Sequence, residues 1–158
     1  MILVLLGTQK HDFSRLLKAI EIKVNDGLIL DQVIVQNGYT KIESKKMELI
    51  GFISNDELDK LITKADIVIC HGGAGSIFKC LELGKIVIAL ARSKQYREHF
   101  NDHQSEIVDR LSEMRYLIKL EDICKIDEYI NNSGTFTPIK FVSNTERMIE
   151  NIKSFIDD

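Results

Sequence analysis

Short runs of apolar residues recur along this chain, each closed by a turn and followed by a helical pattern, and that alternation limits what the chain can fold into. Ile2 to Leu6 is apolar at every position, Gln32 to Gln36 encloses Val33, Ile34 and Val35, and Asp66 to Cys70 and Lys85 to Ala91 are nearly as continuous. A strand that is apolar at consecutive positions is buried on both faces, which is the habit of parallel sheets covered by helices on each side. Lys46 to Ile53, with Gly51 near its end, and Tyr116 to Leu120 read as two further strands.

The segments between them carry helix signals. Asp12 is placed to cap a helix with Phe13, Leu16, Leu17 and Ile20 at helical spacing. Ser54-Asn55-Asp56-Glu57 has the form of a capping box ahead of Leu58, Leu61 and Ile62. Ser76 to Leu83 reads as a helix that Gly84 can end, and Glu98 to Met114 carries Ile107, Val108 and Leu111 on one face. A second capping box, Ser143 to Glu146, predicts a final helix at about 143–157 with Met148, Ile149, Ile152, Phe155 and Ile156 on one side. That stripe suits core packing or a partner surface. Asn131 to Pro138, which holds the only proline, reads as a loop. Strand and helix in strict alternation predict an α/β, doubly wound parallel sheet of Rossmann-like type. At 158 residues, one domain over 1–158 is expected.

Charge and cysteine usage exclude several roles. The net charge is −3, so no global positive field would hold nucleic acid, and Lys45-Lys46 reads as solvated surface. Cys70, Cys80 and Cys124 form no C-x-x-C pair. Cys70 and Cys80 fall where small buried hydrophobes belong, which fits a reducing compartment. No stretch reaches the roughly 18 apolar residues of a membrane helix. A cytoplasmic chain is expected.

In a doubly wound sheet, ligands bind outside the carboxyl ends of the strands. Two turns qualify: Gly7-Thr8-Gln9 after the first strand, and His71-Gly72-Gly73-Ala74-Gly75-Ser76 after the fourth. Three glycines in four positions let backbone N–H groups approach an anion, the following helix points its positive end at the same spot, and Ser76 adds a hydroxyl. A diphosphate is the natural guest. Taken alone, the segment is equally a tight strand-to-helix turn, and His71 equally a structural histidine. It is neither a P-loop nor the dinucleotide fingerprint, since Gly84-Lys85 lacks the earlier glycine and Phe78 stands where a third glycine belongs.

Asp66-Ile-Val-Ile-Cys-His71-Gly-Gly-Ala-Gly-Ser76, then Leu81-Glu82-Leu83-Gly84-Lys85, then Tyr96-Arg97-Glu98-His99-Phe100-Asn101-Asp102-His103-Gln104, resembles glycosyltransferase family 28. The likeness is to its two-subunit N-acetylglucosamine transferases and their bacterial capsule and exopolysaccharide relatives. The opening Val4-Leu-Leu-Gly7-Thr8-Gln9 and Val35-Gln36-Asn37-Gly38-Tyr39 match as well, so the resemblance spans most of residues 1–120. It implies the C-terminal, nucleotide-sugar-binding half of a GT-B glycosyltransferase, with a separate membrane-attached subunit supplying the acceptor half.

By that resemblance, Thr8, His71, Gly75 and Ser76 would hold the diphosphate of a UDP-sugar with backbone help at Gly73 and Ala74. Asn101, Asp102, His103 and Gln104 would hydrogen-bond the transferred sugar, and the main chain near Phe52 and Ile53 would meet uracil. Relatives place a ribose-binding glutamate where this chain has Lys79, and Glu82 lies elsewhere on the turn. The implied reaction is inverting transfer of a hexose to a lipid-linked acceptor at the cytoplasmic membrane face. No cofactor is expected, and no Asp-x-Asp pair is present for a metal ion. His11, His99 and His103 are candidate general bases, as is a group on the partner. Two other readings fit the fold: a non-catalytic nucleotide-binding assembly subunit, and another UDP-sugar enzyme such as an epimerase-like protein. Measurable UDP-sugar hydrolysis or transfer with the partner added would count against the first; enzymes of the second kind carry both halves in one chain, and a length of 158 residues argues against that.

Overall fold

The computed structural model describes residues 1–99 and 103–143. Six strands, β1 (Ile2–Leu5), β2 (Val33–Gln36), β3 (Glu48–Leu49), β4 (Ile67–His71), β5 (Ile86–Leu90) and β6 (Ile118–Lys119), form one sheet in the order β3-β2-β1-β4-β5-β6. Every neighbouring pair is parallel, with Ile2 opposite both Val33 and Ile67 in the middle. The predicted doubly wound sheet is present, and its direction of winding reverses between β1 and β4.

Consecutive residues of each central strand face opposite cores, which is why the runs are apolar throughout. Ile2, Val4 and Leu6 join Val33, Val35, Ile69 and Ile88 under α1 (Ser14–Asn25) and α5 (Ile126–Asn132). Leu3, Leu5, Ile34, Val68, Cys70, Val87 and Ala89 join the apolar sides of α2 (Asn55–Lys64), α3 (Ala74–Glu82) and α4 (His103–Glu113). Cys70 and Cys80 are fully buried and unbonded to each other, as their apolar settings predict.

The element boundaries differ from expectation where side chains take over the backbone bonds. Phe13, not Asp12, is the residue before α1, and the Asp12 carboxylate accepts from the Ser14 N–H and hydroxyl. The Ser54–Glu57 capping box is present as predicted. β3 is only two residues long because Gly51 (φ +56°) turns the chain away and gives its N–H and carbonyl to Asn37 and Gln36. α3 starts at Ala74, two residues early, and closes at Gly84 through the bonds Gly84 N–H to Leu81 O and Lys85 N–H to Cys80 O. Glu98 is not in a helix: it is buried and paired with Arg15 in the loop after β5. α5, together with a 3-10 turn on either side, occupies a region read as partly loop. The predicted helix at 143–157 lies outside the described residues.

Ile69 sits in the middle of β4 at 0% exposure, whereas Leu30 is 89% exposed. Ile69→Ala is expected to cost about 2–5 kcal/mol in urea denaturation, and Leu30→Ala less than about 0.5 kcal/mol.

Candidate functional site

The winding of the sheet reverses between β1 and β4, and a crevice opens there beyond their carboxyl ends. It is a cavity of about 460 Å³ lined by Gly7, Thr8 and Gln9 from the first turn, His71, Gly73, Gly75, Ser76 and Lys79 from the second turn and α3, and Gln36, Phe52, Ile53, Asn55 and Leu58 opposite. That volume suits a small organic ligand. A cavity of about 520 Å³ near Arg115 and Tyr129 lies away from both glycine turns.

The feature of the crevice suited to an anion is the start of α3. Its first intrahelical bond runs from Ile77 N–H to Gly73 O, so the N–H groups of Ala74, Gly75 and Ser76 precede the ladder. Gly73 supplies no capping side chain. α2, by contrast, is closed by a complete capping box. The uncapped donors and the helix dipole therefore face the crevice together with the hydroxyls of Ser76 and Thr8.

The glycines have separate physical reasons. Gly7 adopts φ +72°, and a Cβ there would lie 2.5 Å from the His71 ring. Gly73 has an ordinary backbone, yet its Cβ would come within 2.3 Å of His71 Nε2. Gly72 is closed in by Gln104 and Val108 of α4, each with an atom 3.0 Å from a Cβ. Of these four, Gly75 alone faces open space, with nothing within 4 Å. Two of the glycines thus make room for an imidazole, one for a helix, and one leaves space for a ligand.

His71 is 6% exposed, and its Nδ1 donates to the Leu5 carbonyl at 3.2 Å. A carbonyl only accepts, so Nδ1 carries the hydrogen and Nε2 is left as an acceptor in the neutral ring. Burial, helped by the charges of Arg92 and His99, pushes its pKa down to about 4, and the bond to Leu5 opposes that shift.

The structure brings Thr8, His71, Gly73, Gly75 and Ser76 to one cavity, and Ala74 opens the helix beside them. Phe52 and Ile53 line the same cavity, as does Lys79, whose ammonium pairs with Asp59 on α2. Gln104 is buried and accepts from Arg92 N–H at 3.3 Å; neither it nor His103, which pairs with Glu106, lines this cavity. Asn101 and Asp102 lie outside the described residues. Among the described residues no group of three His, Cys, Asp or Glu side chains is placed to hold a metal ion.

Sequence reasoning missed two residues. Gln36 accepts from Gly7 N–H at 3.1 Å and donates to Gly7 O and Gly51 O at 3.4 and 3.1 Å, tying two cavity walls together. Arg92 is 1% exposed and donates to Leu6 O at 2.8 Å. The available signals were a glutamine ending one apolar run and an arginine directly following another.

Comparison with known proteins agrees with this geometry. The glycosyltransferase family 28 C-terminal domain matches residues 1–157. The UDP-N-acetylglucosamine transferase subunit ALG13 of Candida albicans is 27% identical over 112 residues, covering 71% of this chain and 36% of the relative. That of Debaryomyces hansenii is 28% identical over 158 residues, covering 89% and 72%. This chain therefore spans about a third of the first relative and about three quarters of the second. An NMR structure of ALG13 superposes with a TM-score of 0.60 at 20% identity, covering 92% of this chain and 91% of that one. The shared fold is that of the C-terminal, Rossmann-like half of GT-B glycosyltransferases.

Because the folded His71 holds its proton less tightly than the ordinary value of 6.5, the unfolded chain binds that proton first as pH falls. The histidine's contribution to stability is full above about pH 6.5 and is lost toward about pH 4. An NMR titration should find His71 neutral, with Nδ1 protonated, down to about pH 5; a midpoint near 6.5 would contradict the burial of the ring. Gly73→Ala should lower the melting temperature by about 5 °C or more through its clash with the ring, and Gly75→Ala should leave it within about 1 °C.

Proposed function

This chain belongs to the glycosyltransferase family 28 C-terminal domain family, and on that premise we propose that it is the donor-binding, catalytic subunit of a two-component inverting glycosyltransferase. Its donor is a UDP-sugar, with N-acetylglucosamine or a similar hexose as the group transferred. The acceptor is a hydroxyl of a lipid-linked glycan precursor. The observation that carries this reading is the uncapped start of α3 facing a cavity that also holds the Thr8 and Ser76 hydroxyls.

The chemistry follows from where charge develops. When the sugar leaves, negative charge builds on the diphosphate, and donors already aimed at that point stabilise the transition state without reorganising. The N–H groups of Ala74, Gly75 and Ser76, with the two hydroxyls, supply such donors. Phe52, Ile53 and Leu58 form an apolar end suited to a nucleobase. His71 meets the diphosphate from Nε2, which must then take a proton from solvent or the ligand, so anion binding favours its charged form. In this reading the charge is met by protein donors and turnover needs no metal ion.

The partner supplies the acceptor half and the attachment to the cytoplasmic face of the membrane. Two observations support that. The similar proteins from both yeasts carry the name of a transferase subunit, and no helix among the described residues is long and apolar enough to cross a membrane. The proton-accepting base is assigned to no residue of this chain. His11 and His99 stand 6.2 Å apart in the loops after β1 and β5, and His103 pairs with Glu106.

A thermal-shift panel of UDP, UDP-sugars, GDP and NAD tests the substrate class. At about a hundredfold excess over its Kd, UDP should add about 2.7 kcal/mol, which is about 5–10 °C in a chain of this size. A shift with NAD and none with any uridine nucleotide would reject the reading. Gly75→Val combined with Ser76→Ala should abolish the UDP shift and leave the ligand-free melting temperature within about 2 °C, since a Cβ at position 75 meets no atom within 4 Å. With the partner present, transfer should survive EDTA; UDP binding without any turnover would make this an assembly subunit.

A further inference from the structure

Arg92 follows β5 and is 1% exposed, among the largest fully buried side chains in the protein. Its Nη2 donates to Leu6 O at 2.8 Å and its backbone N–H to Gln104 at 3.3 Å. The other two nitrogens, Nε and Nη1, meet no hydrogen-bond acceptor among the described residues. The guanidinium lies 5.3 Å from the centre of the Phe13 ring, which attracts it weakly.

The carboxylates that influence Arg92 are engaged elsewhere. Glu98 receives Arg15 at 2.9 and 3.0 Å and the Ser93 N–H at 3.1 Å, and Asp12 is taken by Ser14. The arrangement is therefore a buried cation with one hydrogen bond and no ion-pair partner among the described residues, which is costly in a folded protein. Holding the Leu6 carbonyl does not explain it. A neutral donor would do that without the burial cost.

The location does explain it. The carbonyl that Arg92 holds is followed directly by Gly7 and Thr8, which line the crevice. Its charge also reaches His71, another lining residue, where it disfavours protonation of the empty site. We infer that Arg92 is a positioning residue whose buried positive charge, bonded to no carboxylate among the described residues and set behind the Gly7-Thr8-Gln9 turn, biases the crevice toward a diphosphate over an uncharged ligand of the same shape. This inference rests on the proposed reading of the crevice as a pyrophosphate site.

The test compares UDP with uridine on the full chain, by calorimetry and NMR titration, in wild type, Arg92→Gln and Arg92→Lys. Glutamine carries no charge and keeps an amide donor, shorter by two atoms than the guanidinium. Arg92→Gln should fold, bind uridine within about twofold of wild type and bind UDP about tenfold more weakly. Arg92→Lys should recover most of the preference for UDP. An unchanged UDP-to-uridine ratio in Arg92→Gln would overturn the inference. So would a lower melting temperature with parallel losses for both ligands, or failure of that variant to fold, because each marks a structural role only. Wild-type protein that binds no UDP would remove the pyrophosphate reading and this inference together, whereas wild-type UDP binding with an unchanged ratio removes only the inference.

Discussion

Backbone carbonyls at the carboxyl end of a central strand still need donors where the ladder gives out, and at the end of β1 three side chains supply them. His71 holds Leu5 O, Arg92 holds Leu6 O, and Gln36 holds both Gly7 O and Gly7 N–H. Each comes from a different neighbour: β4, the segment after β5, and β2. All three are buried, so breaking any one of these bonds would strand a polar group away from water. The Gly7-Thr8-Gln9 turn is thereby fixed relative to the start of α3, and the crevice takes its shape from that relation. Gln36 extends the same constraint to the opposite wall through Gly51.

This arrangement connects the fold to its chemistry. The sheet order places β1 beside β4, so the two glycine turns emerge side by side where the winding reverses. Residues from the starts of both α2 and α3 line the cavity, yet the chain caps α2 fully and brings no side chain to the start of α3. Donors left open at such a point favour an anion, and the apolar end near Phe52 and Leu58 favours a base. A nucleoside diphosphate has those two ends in that order. The family match and the crevice geometry are the two observations on which the proposed donor class rests.

Much of this was legible in the sequence because it rests on local pattern. Continuous apolar runs identified four central strands, since both faces of each are covered by helices. The Ser54–Glu57 box identified a helix start, and the glycine-rich segment pointed to a turn that lines a cavity. What stayed hidden depends on contacts between distant residues. Gly73 looks like a phosphate-approach glycine, but its neighbour is the His71 ring. Gln104, matched to sugar contacts by resemblance, holds Arg92 N–H in the interior. Glu98 reads as a helical surface residue, yet Arg15, 83 positions away, draws it into the protein. α5, at seven residues, is too short to show a helical period.

The central claim is that the bend from β4 into α3 cradles a pyrophosphate, and the most direct measurement is a backbone amide titration of the full chain with UDP. The account predicts the largest chemical-shift changes at Thr8, Ala74, Gly75 and Ser76, saturating together with smaller changes near Phe52 and Ile53. Saturable changes confined to the cavity around Arg115 and Tyr129, with the Gly75 and Ser76 amides unmoved, would contradict it.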